Sequence, residues 1–393
     1  MRIAINIIGN TRRSNYLNGY NLRYGGGGAS GTDTSSILVG EYLAKQGHDV
    51  VICTDRLDAP LEEECVKRGE IYTPGLKNYG VTYTDISFEG VENRVFDVLI
   101  TMLWFDKYDE LPIKVTKSVV YWAHMQWVYA IDQLKTFASK NNLSIGVVNV
   151  SEWQRKMSQG TIDYIKNNYR RVKQLTISNP VFDEIINEVL ETKPSKKKGK
   201  FIFHATWPTG GSVALDAVKQ VNIEGKEFHA LDYFISVDHC DEKWFYNHSG
   251  SDRKKVFTHL AESEYFIYPL WTIHQVVRRD TFACTVAEAL ATGTIVLTYP
   301  LGALPEVFKD YCVWLDAPPG VDLEELQRQD LARDENNLFK YTKNIVDKIH
   351  YLEENPSIKE QYREAGKKYI MDTYNLERIG NIWVNFLNEL TNS

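Results

Sequence analysis

The stretch RRDTFACTVAEALATGTIVLTYPLGALPE, residues 278–306, is the most informative part of this chain. Between Thr281 and Thr298 its single charged side chain is Glu288, set among small and apolar residues that predict a packed helix followed by a buried strand. A buried carboxylate is costly unless it has partners. A ligand with two neighbouring hydroxyl donors, such as a ribose, would satisfy both oxygens. The alternative is an ion pair with a lysine or arginine from elsewhere in the chain.

A second carboxylate, Asp280, precedes Glu288 by eight residues, at the expected start of the same helix. The helical period would set the two side chains roughly 80° apart, so that both border one cleft. Residues 281–284 would form the first turn, whose free N–H groups and positive dipole end suit a phosphate. Two carboxylates around a phosphate site indicate a nucleotide sugar. The alternative is that Asp280 only caps the helix.

Outside this stretch, short apolar runs alternate with helical or polar segments, which is typical of parallel α/β sheets. A helix beginning near residues 32–34 and ending at Gly47 should follow the first strand. The polar segment TKPSKKKGK, residues 192–200, divides the chain into expected domains 1–192 and 193–393. The expected strands are residues 2–8, 50–53, 97–102, 118–122, 145–150 and 174–177, then 200–204, 228–237, 265–268, 294–298 and 311–315.

Composition excludes several classes of protein. The chain has 393 residues, of which 43% are hydrophobic, enough for two or three domains. With 45 basic and 52 acidic residues the net charge is -7, which argues against nucleic-acid binding. Five scattered cysteines, without C-x-x-C pairs or histidines at zinc spacing, predict neither a disulfide scaffold nor a metal site. The opening apolar run is too short for a signal or spanning helix, so we expect a cytoplasmic protein.

Residues 278–306 resemble the donor-sugar motif of retaining family-4 glycosyltransferases with the GT-B fold. The family signature E-x7-E stands here as Asp280-x7-Glu288, with Phe282 in its usual place. EALATG at 288–293 and PLGALPE at 300–306 complete the match. The first carboxylate is shortened by one methylene, so that it would reach the sugar less closely or serve a different sugar.

This resemblance implies a role for each residue of the segment. Glu288 would bind the ribose of the nucleotide, and Asp280 would face the hydroxyls of the transferred sugar. Backbone groups of Ala283, Cys284 and Thr285 would approach the diphosphate.

Two features of the first half also resemble the family. Ser30 and Gly31, after the glycines 25–28, have the spacing of the family's glycine loop before its first helix, and would close over the donor phosphates or the acceptor. A glycine-rich loop of this kind would also suit a dinucleotide-binding domain. His124 follows a predicted strand and resembles the family's histidine near the transferred sugar. Its alternative is a core histidine beside Trp122 and Trp127.

FHATWPTGGS, residues 203–212, departs from the family pattern. The family carries an arginine and a lysine here that hold the diphosphate, and this chain has neither. His204, Thr209 and the backbone of Gly210 lie near those positions, although Gly210 and Gly211 also fit an ordinary turn. Compensating charge would come from a nearby cation. The candidates are Arg253, Lys255, Arg278 and Arg279.

The resemblance implies a GT-B architecture: two Rossmann-like α/β/α domains facing across a cleft, with the last helix (about 376–393) crossing back and anchored by Trp383 and Phe386. The implied reaction is retaining, metal-independent and cofactor-free transfer from a UDP- or GDP-sugar to a saccharide or glycan acceptor. The basic run 196–198 is expected to be a solvated hinge, with peripheral membrane contact as a minor alternative. Alternative functions are a nucleotide-sugar epimerase of the same fold and a catalytically impaired nucleotide-sugar binder. The base, sugar, acceptor and oligomeric state stay open.

Overall fold

The computed structural model describes residues 1–7, 18–24, 29–54, 77–88, 90–103, 105–125, 130–231, 242–248, 251–270, 279–317 and 338–392. The chain forms two compact units. The first unit comprises Met1–Pro180 together with Tyr374–Ser393, and the second comprises Val181–Thr373. The sequence-based boundary at 192/193 lies twelve residues after the division at Pro180. The intervening segment contains a helix that packs in the second unit.

The first unit is built on an eight-stranded sheet of order β3-β4-β2-β1-β5-β6-β7-β8, in which only β3 is antiparallel to its neighbour. Its strands are β1 (Arg2–Asn6), β2 (Asp49–Cys53), β3 (Lys77–Asn78), β4 (Val81–Thr84), β5 (Val95–Met102), β6 (Lys114–Ala123), β7 (Ser144–Asn149) and β8 (Val172–Thr176). Its helices are α1 (Gly19–Tyr24), α2 (Gly31–Lys45), α3 (Ile131–Lys140), α4 (Glu152–Met157), α5 (Gln159–Asn168) and, from the end of the chain, α13 (Leu376–Thr391).

The second unit is built on a six-stranded parallel sheet of order β11-β10-β9-β12-β13-β14. Its strands are β9 (Lys200–Phe203), β10 (Glu227–Ala230), β11 (Phe245–Asn247), β12 (Tyr265–Tyr268), β13 (Ile295–Thr298) and β14 (Val313–Trp314). Its helices are α6 (Asp183–Glu191), α7 (Gly211–Gln220), α8 (Arg253–Glu262), α9 (Cys284–Ala291), α10 (Leu304–Phe308), α11 (Leu338–Glu354) and α12 (Pro356–Thr373).

The predicted α/β class with parallel sheets is confirmed. Each expected strand overlaps a strand of the structure, and β12 has the predicted bounds. The expectation for residues 228–237 was too long, because β10 ends at Ala230 and residues 232–237 lie outside the described residues. Residue 8 and the glycines 25–28 also lie outside them. No described helix is long and apolar enough to span a membrane. Among the described cysteines, Cys53 and Cys312 are buried free thiols.

Helix α2 begins slightly before the predicted start near residues 32–34. Ser30 is its N-cap, and the Ser30 hydroxyl accepts a hydrogen bond from the backbone N–H of Asp33 at 3.2 Å. The Asp33 carboxylate in turn accepts from the backbone N–H of Ser30 at 3.0 Å. This reciprocal capping box satisfies donors that a helix end otherwise leaves open. The helix therefore starts at Gly31.

Helix α13 closes the core of the first unit. Its Trp383 ring packs on the Trp122 ring of β6, with centroids 4.6 Å apart, and both side chains are buried. Phe386 and Leu390 lie directly over Gly146 of β7, where any larger side chain would collide with them. Trp383 and Phe386, expected from the sequence to anchor the last helix, are thus buried in this unit.

The contact between α13 and α2 allows a first prediction. A Cβ added at Gly380 would overlap the buried ring of Tyr42, whose hydroxyl donates to Asn381 at 2.8 Å. We expect Gly380→Ala to destabilise the first unit, because an overpacking cost of about 1–3 kcal/mol exceeds the gain of about 1 kcal/mol in helix propensity. The measurement is the midpoint of urea unfolding, monitored by tryptophan fluorescence.

Gly160→Ala is the matched control. Gly160 also lies in a helix of the first unit, α5, but an added Cβ would have no atom within 4 Å. This variant should be at least as stable as the wild type. A Gly380→Ala protein as stable as the control would show that the α2–α13 contact is looser than described.

Candidate functional site

The candidate site lies at the carboxyl ends of the strands in the second sheet. Strand β9 separates β10 and β11 on one side from β12, β13 and β14 on the other. In open α/β sheets ligands bind outside the carboxyl ends of the strands at such a switch point. His204 directly follows β9, Tyr268 ends β12, and Arg253 begins the helix that follows β11. The fold therefore gathers these three side chains at one edge.

Glu288, on α9, is paired within the protein. It is 3% exposed, and the Arg253 guanidinium donates to both of its oxygens, at 3.2 Å to Oε1 and 3.3 Å to Oε2. His204 Nε2 lies 3.3 Å from Oε2. Arg253 and His204 are buried as well. Of the two interpretations made from the sequence, the structure contains the ion pair with an arginine from elsewhere in the chain.

These partners keep the Glu288 carboxylate ionised. Burial acts to raise the pKa of Glu288, but the positive charge of Arg253 and the hydrogen bonds from His204 and Arg253 outweigh it and lower the pKa. An ionised, fully buried carboxylate therefore persists at neutral pH.

Arg253 stands at an unusual place for a cation. It is the first residue of α8, after the N-cap Asp252, whose carboxylate accepts from the backbone N–H of Lys255 at 2.8 Å. The positive end of a helix dipole disfavours a cation. The Glu288 carboxylate offsets this cost, so the pair holds the start of α8 against α9.

The prediction for Asp280 was wrong in its local structure. Helix α9 begins at Cys284, and its N-cap Ala283 has a left-handed backbone with φ of 59°. Asp280 therefore precedes the helix instead of starting it, and residues 281–283 are not a first helical turn. The angular separation from Glu288 calculated from the helical period does not apply. The Asp280 carboxylate accepts a hydrogen bond from the hydroxyl of Tyr268.

Gly302 explains why the chain takes this course. The backbone carbonyl of Asp280 accepts from the N–H of Ala303 at 3.0 Å. Gly302 has φ of 61°, and a Cβ there would lie 2.7 Å from the same carbonyl oxygen. Only glycine fits this left-handed turn and close approach. The LGALPE part of the motif thus fixes the backbone that carries Asp280.

The other residues expected at the start of α9 have different surroundings. Phe282 is buried, with its ring 6.2 Å from the Phe308 ring, so that it anchors the segment in the core. Ala283, Cys284 and Thr285 are partly exposed. These three residues therefore lie at the protein surface, as the expected diphosphate contact requires.

In the turn after β9, the groups expected to bind phosphate already donate hydrogen bonds within the turn. The Thr209 hydroxyl donates to the carbonyl of Thr206 at 2.6 Å, and the Gly210 N–H donates to the carbonyl of Trp207 at 3.2 Å. Gly210 is the N-cap of α7 with φ of 129°, and Gly211 leaves room for the Trp207 ring. These contacts match the ordinary strand-to-helix turn that was the alternative interpretation.

The cations expected to compensate for the missing arginine and lysine differ in position. Arg253 is buried beside Glu288. Arg279 is partly exposed and directly precedes Asp280. The Lys255 ammonium is exposed and pairs with Asp252 at 3.4 Å. Arg278 lies outside the described residues. Arg253 is the cation that the structure places with His204 and Glu288.

In the first unit, His124 follows β6 directly and is buried beside Trp122, with ring centroids 4.7 Å apart. Burial lowers the pKa of His124 to about 3, so its ring is neutral at physiological pH. Ser30 and Gly31 begin α2 in the same unit. Trp127, named beside His124 in the sequence-based alternative, lies outside the described residues.

Tyr268 is the contact that the sequence analysis missed. It ends the predicted strand 265–268 and donates to Asp280, a pairing twelve residues apart. A polar aromatic side chain at the carboxyl end of a central strand was the available signal. The sequence did not reveal Asp280 as its partner, because the position of Asp280 depends on how residues 279–302 fold.

The Glu288–Arg253 pair carries the second prediction. Glu288→Gln or Arg253→Met alone leaves one buried charge without compensation, which should cost about 3–5 kcal/mol of unfolding free energy. The double variant removes both charges and should recover most of that loss. Urea unfolding of the four proteins at neutral pH gives the coupling energy. Additive losses would contradict the pairing.

The stability of the wild type and of these Glu288 and Arg253 variants should also depend differently on pH. The folded-state pKa of Glu288 lies below its unfolded-state value of about 4.3, so the stabilisation is fully present above that value and is lost as the pH falls through the folded-state pKa. The wild type should therefore lose more stability than the double variant in this acid range.

Comparison with known proteins supports the fold. No family model and no curated protein sequence matches the chain. Sucrose-phosphate synthase from Thermosynechococcus elongatus is similar in structure, at 11% identity and a TM-score of 0.65, with 99% of this chain and 98% of that chain covered. AviGT4, a glycosyltransferase involved in avilamycin A biosynthesis, gives 13% identity and a TM-score of 0.57, with 100% and 98% covered. Anabaena HepE in complex with UDP-glucose gives 10% identity and a TM-score of 0.56, with 99% and 100% covered. These neighbours are GT-B glycosyltransferases, so the predicted GT-B fold is confirmed.

Proposed function

We propose that this chain is a retaining, metal-independent glycosyltransferase of the family-4 type, which transfers a hexose-type sugar from a UDP- or GDP-sugar to a saccharide or glycan acceptor. The observation that carries the proposal is the convergence of Glu288, Arg253 and His204 at the carboxyl edge of the second sheet. The GT-B fold supports it, as does the complex of the structural neighbour HepE with UDP-glucose. We place the reaction in glycan or polysaccharide biosynthesis in the cytoplasm.

In this proposal Glu288 exchanges partners when the donor binds. The 2- and 3-hydroxyls of the ribose donate to the carboxylate, and Arg253 turns to the diphosphate. A guanidinium pairs with phosphate as well as with carboxylate. The start of α8 is an unfavourable position for a cation that serves only the fold. Arg253 thereby supplies the positive charge that the family's arginine and lysine provide in the segment 203–212.

Asp280 acts on the reacting sugar. Its carboxylate, held by the Tyr268 hydroxyl, would stabilise the positive charge that develops at the anomeric carbon as the diphosphate leaves. The backbone N–H groups of residues 283–285, which are partly exposed residues, would receive the negative charge of the diphosphate at the start of α9. Catalysis would rest mainly on positioning and electrostatic stabilisation.

His124 would contact a sugar hydroxyl or orient the acceptor. Its low pKa, about 3, makes it a neutral hydrogen-bonding group at physiological pH. It would position a substrate and would not act as a cationic acid. Ser30 and Gly31, at the start of α2, would serve the phosphates or the acceptor.

A specific observation favours a second candidate, a nucleotide-sugar binder with impaired catalysis. Both oxygens of Glu288 already accept hydrogen bonds from Arg253. The sequence lacks the family's phosphate-binding arginine and lysine and carries aspartate at position 280. Donor binding without turnover would distinguish this candidate from the transferase.

The third prediction concerns donor binding. One nucleotide diphosphate, with its sugar, should raise the melting temperature, since a ligand at a hundred times its dissociation constant stabilises by about 2.7 kcal/mol. The measurement is thermal unfolding with UDP, GDP, ADP and their glucose or mannose conjugates, followed by calorimetric titration of the best ligand. Glu288→Ala should lose the response.

Glu354→Ala, which removes an exposed carboxylate from α11, is the control and should keep the response. Because Glu288→Ala also breaks a buried pair, it is compared with the Glu288→Gln/Arg253→Met protein, which should fold and still fail to bind. If no nucleotide binds the wild type, Glu288 is a structural carboxylate and the proposed donor site is wrong.

The fourth prediction separates turnover from binding. Asp280→Asn should lower the rate of nucleoside diphosphate release from the stabilising donor by about 10²–10³-fold, because a group that stabilises developing charge is lost. Donor affinity should change only a few-fold. Asp216→Asn is the control, since this exposed side chain pairs only with Lys219 of its own helix among the described contacts.

Three outcomes distinguish the candidates. Diphosphate release by the wild type that depends on Asp280 supports the transferase. Tight donor binding with no release in the presence of saccharide acceptors supports the impaired binder. Formation of an epimeric nucleotide sugar without added acceptor would instead identify an epimerase.

A further inference from the structure

Three histidines that are distant in sequence meet at the β11 side of the second sheet. His229 lies on β10, His248 directly follows β11, and His259 lies on α8. Each offers one ring nitrogen, and these nitrogens all lie within 4.8 Å of one another. His229 is buried, whereas the other two are partly exposed. We call these three residues the histidine cluster.

Hydrogen bonds define which ring nitrogen of His229 carries the proton. Its Nε2 lies 2.9 Å from a carboxylate oxygen of Glu227, which can only accept, so that Nε2 carries the proton. Its Nδ1, 2.8 Å from His248 Nε2, is then an acceptor. Without an ion, the His248 Nε2–H donates to this atom. In the presence of an ion, the same lone pair of His229 Nδ1 is available to bind it.

The surroundings favour neutral rings. Burial is the main cause that lowers the pKa of His229 to about 4 and that of His259 to about 3, with further lowering by the charge of Lys200 and of the neighbouring histidines. Burial and Lys200 also lower the pKa of His248. Neutral imidazole is the form that binds a metal ion.

Glu227 completes an arrangement that is typical of metal sites. A metal-binding histidine commonly donates its other ring N–H to a carboxylate, which fixes the ring and strengthens the ligand. The contact from His229 Nε2 to Glu227 has this geometry. His229 thus has a carboxylate at Nε2 and the His248 imidazole at Nδ1, and the His259 ring lies 5.5 Å from its own ring, centroid to centroid.

Among the described residues, Lys200 is a positive charge that acts on all three histidines and would oppose a cation. Its ammonium lies 3.4 Å from His259 Nδ1 and donates to it, so an ion would bind His259 Nε2 only in the tautomer with the proton on Nδ1, with the ammonium turned towards Glu262. The Glu262 carboxylate lies 2.7 Å from this ammonium and also pairs with the Lys197 ammonium at 3.1 Å. It offsets part of the charge of Lys200, and Glu227 adds a second carboxylate beside the cluster.

We propose that the histidine cluster binds one divalent transition-metal ion, with Zn²⁺ as the ion that its three imidazoles suit best. Zinc binds imidazole nitrogen at about 2.0–2.1 Å, usually with four ligands. Small side-chain adjustments would bring the three nitrogens to that distance, and solvent would fill the fourth position. Cu²⁺ or Ni²⁺ would fit the same nitrogen set, whereas Mg²⁺, which prefers oxygen ligands, would not.

The bound ion would be structural. It would connect β10, the end of the short edge strand β11, and α8. Helix α8 also carries Arg253, six residues before His259, which is roughly 9 Å along the helix axis. The ion would therefore hold the helix that presents Arg253, while sugar transfer itself remains metal-independent in the proposed function.

The experiment is equilibrium dialysis of metal-free protein against Zn²⁺, with stoichiometry by elemental analysis, and thermal unfolding with and without Zn²⁺. We expect one Zn²⁺ per chain and a higher melting temperature with Zn²⁺ but not with Mg²⁺. His248→Ala and His259→Ala should abolish both effects. Glu227→Gln should retain the ligands but weaken zinc affinity about 10–100-fold.

His350→Ala is the control, because His350 lies on α11 and is not part of the cluster. It should bind zinc like the wild type. Circular dichroism and melting in a chelator must show that each variant is folded before its zinc binding is compared. Failure of the wild type to bind zinc, or binding that survives His248→Ala and His259→Ala together, would overturn the proposal and leave a hydrogen-bonded histidine network. Neither result depends on nucleotide binding, so the proposed function is tested separately.

Discussion

The compensation of one buried carboxylate organises the second unit. Glu288 lies in a helix of small apolar residues, where an ionised group persists only with partners. Those partners come from two other elements, Arg253 at the start of α8 and His204 at the end of β9. The need to neutralise this charge therefore fixes two helices and a central strand to one another. It also places a guanidinium at a helix end that would otherwise disfavour it.

The fold could be predicted because its signals are local. An apolar run of strand length indicates a strand wherever it occurs, and β12 was predicted with its observed bounds from YFIY alone. The alternation of such runs with helices then restricts the sheet to a parallel one. The start of α2 was predicted less well. Ser30 and the residues of the Thr32–Thr34 segment all favour the N-cap position, and the structure uses Ser30 in a capping box with Asp33.

A site residue could be predicted only where its own sequence segment made it stand out. The lone charge of Glu288 identified it, but the position of Asp280 depends on Gly302, which approaches its carbonyl from 22 positions later in the chain. The sequence offered four cations to replace the family's phosphate-binding arginine and lysine, and tertiary packing placed one of them, Arg253, beside Glu288. The spacing of the three histidines in the sequence matches no metal-binding motif, because they come from three elements that the sheet order brings together.

In the proposed function, the charge balance of the site would link the recognition of two parts of one ligand. Glu288 and Arg253 are neutral as a pair, so a ribose alone could take Arg253's place at the carboxylate only by leaving a buried guanidinium uncompensated. A diphosphate alone would draw Arg253 away and leave the carboxylate in that position. A nucleotide diphosphate supplies both the hydroxyl donors and the anion. In the proposed function each exchange is therefore favourable only when the other occurs, which makes the intact nucleotide, and neither of its parts, the unit that this arrangement would select.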